Sequence, residues 1–117
     1  MAEIKQEGYQ TIRDFIQENW QYIELKDDTG VAVLRLSPSD ARVSWTHTAD
    51  SQSLELQVIV TGADVDITLP QTFASSSIYD VAVGGSAYSE EPFTPFTMEG
   101  TGDQLTVKHQ IQVPVIA

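Results

Sequence analysis

Residues 105–113 read Leu105-Thr106-Val107-Lys108-His109-Gln110-Ile111-Gln112-Val113. Apolar side chains and His109 take every second place, and Thr106, Lys108, Gln110 and Gln112 fill the gaps. Successive side chains of a strand point to opposite faces, so this period predicts a strand with one face on a core and the other toward water. The same period runs through Leu54, Leu56, Val58 and Val60, interleaved with Glu55, Gln57, Ile59 and Thr61. Just before it, Val43, Trp45 and His47 alternate with Arg42, Ser44, Thr46 and Thr48. The polar turn at Asp50 to Ser53 makes a hairpin of the two runs. The expected core therefore includes Val43, Trp45, Leu54, Leu56, Val58, Leu105, Val107 and Ile111.

Further strands flank these. Tyr22 to Lys26 and Val31 to Leu36 enclose Asp27-Asp28-Thr29-Gly30, a hairpin loop with glycine where a positive φ is needed. Val65, Ile67 and Leu69 alternate with Asp64, Asp66 and Thr68 until Pro70. Gln71 to Ser77 is small and polar and reads as a loop. Tyr79, Val81 and Val83 read as a strand closed by Gly84-Gly85, and Ser86 to Pro92 as an exposed loop. Phe93 to Glu99 is a weaker strand, and Pro95 marks it as an edge. Pro114 ends the last strand. About eight strands with short turns predict a mainly β chain, an antiparallel β-sandwich or barrel.

One segment departs from this period. Tyr9, Ile12, Ile16 and Trp20, with Phe15 beside them, form an apolar stripe at helical spacing, so residues 9–20 read as an amphipathic helix. Thr11 and Asp14 are placed for a cap at its start. A helix so short needs packing to hold it. Its stripe is expected either to dock on its own domain or to reach a neighbour. The chain reads as a single domain over 1–117, with 1–20 as a helical extension and 21–117 as the β domain.

A chain of 117 residues suffices for one hydrophobic core. Lys and Arg number 6 against 17 Asp and Glu, a net charge of −11. That field repels phosphate, so no nucleic-acid partner and no anionic membrane surface is expected. The apolar runs are too short for a bilayer, and Met1 to Gly8 lacks the apolar core of a signal peptide. With no cysteine there is no disulfide, zinc–thiolate site or thiol nucleophile.

Chemistry-bearing motifs are few. His47 and His109 are in phase with the apolar residues of their strands. They would make a paired metal or acid–base site only with a third group that local spacing does not provide. Asp64 and Asp66, like Asp27 and Asp28, are oxygen-rich pairs of the kind that bind calcium, but no twelve-residue calcium loop surrounds them. No Gly-x-Ser-x-Gly elbow occurs, and neither Gly84-Gly85 nor Gly100-x-Gly102 opens a helix as a phosphate loop would. The expectation is a non-enzymatic chain with no catalytic, metal or cofactor site. Candidate interaction residues are Tyr9, Ile12, Phe15, Ile16 and Trp20 on the helix and Phe93 and Phe96 on the edge strand, where Phe93-Thr94-Pro95-Phe96 reads equally as an adhesive aromatic edge or as a strand with one aromatic in the core and one at its rim.

The run Thr11-Ile12-Arg13-Asp14-Phe15-Ile16 into Trp20-Gln21-Tyr22-Ile23-Glu24-Leu25, with the closing strand Leu105-Thr106-Val107-Lys108-His109-Gln110-Ile111, resembles the small acidic virion proteins of tailed bacteriophages and prophages. The resemblance implies a structural part of a head–tail junction, tail or baseplate, assembled in the bacterial cytoplasm. It implies partners that are copies of itself or other virion proteins, and no cofactor. The apolar tail Val115-Ile116-Ala117 would serve, like the helix, as an extension. The alternative is a small carbohydrate- or ligand-binding β-sandwich that uses Trp20, Trp45 and Tyr88.

Overall fold

The computed structural model describes residues 2–48 and 51–113. The order of elements is α1 (Gln6–Asn19), β1 (Tyr22–Lys26), β2 (Ala32–Leu36), β3 (Val43–Trp45), β4 (Ser53–Thr61), β5 (Gln71–Tyr79), β6 (Ser89–Met98) and β7 (Gln104–Gln112). All pairings are antiparallel, in one sheet ordered β2-β1-β5-β6 and a second ordered β3-β4-β7. The two sheets form a sandwich, and its strands number seven rather than the expected eight.

The clean alternation of β4 and β7 has its expected meaning. Leu56, Val58, Val60 and Val107 are buried and meet Ile23, Leu25, Leu36, Phe73, Ile78 and Met98 of the other sheet. Val43, Trp45, Leu105 and Ile111 are half-buried at the margin of this core rather than inside it. Leu54 is buried, but outside the main cluster.

Three expectations are corrected. Residues 71–77 are not a loop: they begin β5, a central strand between β1 and β6. Residues 65–69 form turns rather than a strand, because Asp64 and Asp66 are drawn to Arg42 and Val65 is left fully exposed. Of the strand at 79–83 only Tyr79 is extended. The exposed loop is 80–86, since Ser89 to Pro92 already belong to β6. Two strands of the eight disappear and one is added. The expected turn residue Asp50 and the segment Pro114 to Ala117 lie outside the described residues.

Local chemistry accounts for the joints. At the first hairpin Asp27 Oδ1 accepts from the Thr29 hydroxyl (2.7 Å) and from the N–H groups of Thr29 and Val31 (both 2.9 Å), while Gly30 takes φ +83°. These bonds, the Thr29 hydroxyl first, hold the Asp27 carboxyl below its ordinary range. At the far end of β4, a Cβ on Gly62 would fall 1.9 Å from the Gly100 carbonyl oxygen. Only glycine lets those two backbones close so tightly.

The helix begins earlier than the stripe implied. Lys5 is its N-cap, with no side-chain cap bond. Thr11, expected near the start, lies inside and gives its hydroxyl to the Glu7 carbonyl at 2.9 Å. Glu7 in the first turn suits the positive end of the helix dipole.

Candidate functional site

Each sheet ends in two edge strands, β2 and β6 in one and β3 and β7 in the other. Of these, β6 and β7 run along the same side. The ladder bonds fix which β7 groups are free. Val113 N–H donates to the Gln52 carbonyl (3.0 Å), continuing the register in which odd-numbered residues of β7 bond to β4. The even-numbered residues therefore turn their N–H and C=O groups outward. One of these is closed, since Gln110 N–H donates to Glu91 Oε1 of β6 at 3.2 Å. Thr106 and Lys108 have no such cover among the described residues.

Beside them lies a groove of about 490 Å³ between the two edges. Phe93, Pro95 and Phe96 of β6 form one wall, and Leu105, Val107 and Lys108 of β7 the other. Phe93, Phe96 and Leu105 pack on the core with one side and remain half-exposed on the other. A fourth strand beside β7 would cover them. Phe93 and Phe96 are thus where the sequence placed them, on an edge strand marked by Pro95.

The helical candidates divide between two surfaces. Ile16 is buried with Arg13, and Trp20 packs on the core margin and against Tyr88, their ring centroids 5.1 Å apart. Tyr9 is half-buried. Ile12 and Phe15 face out, Phe15 with 58 % of its surface exposed, and Ile4 joins them. The stripe therefore docks on its own domain along one side only. Two bonds anchor it: Arg13 Nη1 donates to the Val113 carbonyl, and His47 Nε2 meets Gln17 Oε1 at 3.1 Å. Since Glu55 N–H donates to His47 Nδ1 (3.1 Å), it is Nε2 that carries the proton. This anchorage is at the end of β7 remote from the groove, so the helix and the Phe93–Phe96 pair do not form one site.

The histidines and carboxylates are held internally. His109, with no exposed surface, bridges the sheets: Nδ1 lies 2.7 Å from Ser76 Oγ of β5 and Nε2 2.8 Å from Ser89 Oγ of β6. Burial pushes its pKa down to about 4. The serine partners were missed because Ser76 lay in the segment read as a loop.

Asp64 and Asp66 converge with Asp40 on Arg42, at 3.1, 2.8 and 2.9 Å. Bonding to Arg42 holds Asp40 and Asp66 below their ordinary range. For Asp64 partial burial acts upward, but bonds from Thr61 and Arg42 bring it down. Arg42→Gln should destabilise the fold by about 1–2 kcal/mol, between an exposed pair and a buried one, because three carboxylates lose their common counter-charge. Urea unfolding at neutral pH measures this. An unchanged midpoint would mean that the turns at 62–68 are held by something else. Among the described residues no group of three or more His, Asp or Glu is arranged to hold a metal ion, and no helix is long and apolar enough to cross a membrane.

A third feature is an open cleft of about 300 Å³ where Trp45 lies beside Asp14, Gln17, Glu18 and Gln21. No family model, no curated protein and no solved structure matches the chain.

Proposed function

We propose that this chain is a non-enzymatic assembly protein whose open β6–β7 edge is a contact surface, and that it serves as a head–tail, tail or baseplate component of a phage particle. The observation that carries the assembly role is the groove between two unpaired edges. A monomer ordinarily blunts or covers such edges. Here Glu91 and the prolines of β6 blunt one part, while Thr106 and Lys108 stay open beside half-exposed Phe93, Phe96 and Leu105. The exposed Ile4, Ile12 and Phe15 of the helix add a second apolar surface. The phage setting rests on the sequence resemblance.

Two measurements test this. Purified phage particles from the source, analysed by mass spectrometry, should contain the chain in constant ratio to the other virion proteins; its absence would remove the virion role. Hydrogen exchange on the assembled and the isolated chain should show Thr106 and Lys108 amides protected only in the assembly. Fast exchange in both would remove the edge from the contact.

The Trp45 cleft favours a second reading, a carbohydrate-binding module, since sugars stack on aromatic faces and bond to carboxylates and amides. Glycan-array binding that is lost in Trp45→Ala would support it. A blank array with the full chain would dismiss it.

A further inference from the structure

Resting on the assembly reading, we infer that β7 pairs antiparallel with β7 of a second copy of this chain across a twofold axis at Thr106, joining their two three-stranded sheets into one of six strands. β7 offers an open stretch, Gln104, Thr106 and Lys108, whose N–H and C=O groups turn away from β4. The stretch ends at Gln110, whose N–H is taken by Glu91. β6 beside it offers less, because Pro92 and Pro95 carry no N–H and Glu90 and Glu91 bring charge. Residues 104–108 hold no acidic side chain in a chain of net charge −11. Two copies can therefore bring this stretch together without setting carboxylates against each other.

The open stretch fixes the register. With Thr106 opposite Thr106 of the second copy, Gln104 of each copy stands opposite Lys108 of the other, and the outward groups of all three residues bond across the axis. A register centred on Lys108 would set two lysines face to face and would need Gln110. One centred between Thr106 and Lys108 would need Gln110 as well. In the Thr106 register each chain has turned away through Gly100–Asp103 before it reaches Gln110 of the other, so the Glu91 bond stays. A twofold axis normal to the sheet keeps both core faces on one side. On that side Leu105 meets Val107 of the second copy, and the half-exposed Phe93, Phe96 and Leu105 of both copies are covered in one event. On the water side Thr106 meets Thr106, a favourable cross-strand pair. The edge is thus complementary to itself, which selects a second copy over an unrelated strand. So short a pairing makes a small interface and a weak dimer. Two chains of this charge repel at longer range, so added salt should strengthen the association.

The chain has no cysteine, so introduced thiols report the register. Thr106→Cys sets two thiol-bearing residues about 5.5 Å apart at Cα across the axis, within disulfide reach, whereas Lys108→Cys sets them roughly 14 Å apart. Under mild oxidation Thr106→Cys is expected to form a covalent dimer at least about tenfold faster than Lys108→Cys. Light scattering on the wild type from about 10 µM to 1 mM should show a dimer that tightens in high salt. Thr106→Pro, which removes the central N–H of both copies, should weaken it about tenfold with an unchanged β circular-dichroism spectrum. Equal cross-linking of the two cysteine variants, or faster cross-linking of Lys108→Cys, overturns the twofold register. A dimer indifferent to Thr106→Pro overturns β7 as the contact. A wild type monomeric throughout overturns the second copy as occupant, while the assembly reading keeps its own hydrogen-exchange test. Both cysteines replace exposed side chains, so they decide the register even where proline disturbs the strand.

Discussion

Phe73→Ala is expected to destabilise the domain by about 3–5 kcal/mol. Phe73 is the largest fully buried side chain, with no exposed surface, on β5 opposite Phe96. It belongs to the buried cluster that also contains Ile23, Leu25 and Met98 of its own sheet and Val58 and Val60 of the other. Truncation removes the transfer energy of the ring and leaves a cavity that two hydrogen-bonded sheets close only in part. Against a total of roughly 5–15 kcal/mol, this loss should lower the melting temperature by some tens of degrees or leave the variant unfolded. The control is Phe15→Ala, at a residue 58 % exposed on the helix, which should shift stability by no more than about 0.5 kcal/mol. Calorimetry on both decides the matter. If the Phe73 variant melts within a degree or two of the wild type, β5 does not hold the centre of the core.

That centre is also where sequence and structure part. β4 and β7 were legible because each has one face on the core and one in water, and the period of two follows directly. β5 has both faces covered. On the inner face Phe73 and Ile78 meet the second sheet. On the outer face Arg35 stacks on the Tyr79 ring (3.5 Å) and donates to the carbonyls of Val81 and Gly84, which draws the loop after β5 over Ser77 and Tyr79. A strand covered on both sides has no alternation to read. Here small residues, Ala74 to Ser77, fill the close space instead. The converse error at Val65, Ile67 and Leu69 has a specific cause. Their alternation is genuine, but Arg42 gathers the intervening carboxylates to one point and bends the chain into turns.

The candidate site was half legible. Phe93, Pro95 and Phe96 announce an apolar edge by composition alone. The other wall, Leu105 to Lys108, reads only as core strand, because which two edges share a flank depends on strand order. Strand order follows from long-range pairing, β1 with β5 and β4 with β7, which leaves no local trace. The helix stripe was legible as a stripe, but not its division. Arg13, a charged residue on the inner side, takes a buried place because the end of β7 offers it a carbonyl.

Lowering the pH from 7 to 4 should cost the wild type about 3 kcal/mol through His109 alone. The folded form holds this imidazole neutral, with a pKa pushed down to about 4 by burial, whereas in the unfolded chain it takes a proton near 6.5. The unfolded state therefore binds more protons throughout that interval. The stability that depends on neutral His109 is complete above pH 6.5 and is lost progressively as the pH falls toward 4. A neutral ring serves both serines: one nitrogen donates and the other accepts, with the Ser76 and Ser89 hydroxyls taking the complementary roles. The protonated ring would still reach both oxygens, but as a charge without water around it. The carboxylates of the Arg42 cluster act below this window, since their folded pKa values lie under the ordinary 3.8 and their contribution is lost only as the pH falls further. Urea unfolding at pH 7, 5.5 and 4 resolves the two. His109→Gln should be less stable at pH 7, because one amide cannot bridge Ser76 and Ser89 as the ring does, yet it should show little slope between pH 6.5 and 4. If the variant keeps the wild-type slope, the proton is taken up elsewhere and His109 is not the group that links this sandwich to pH.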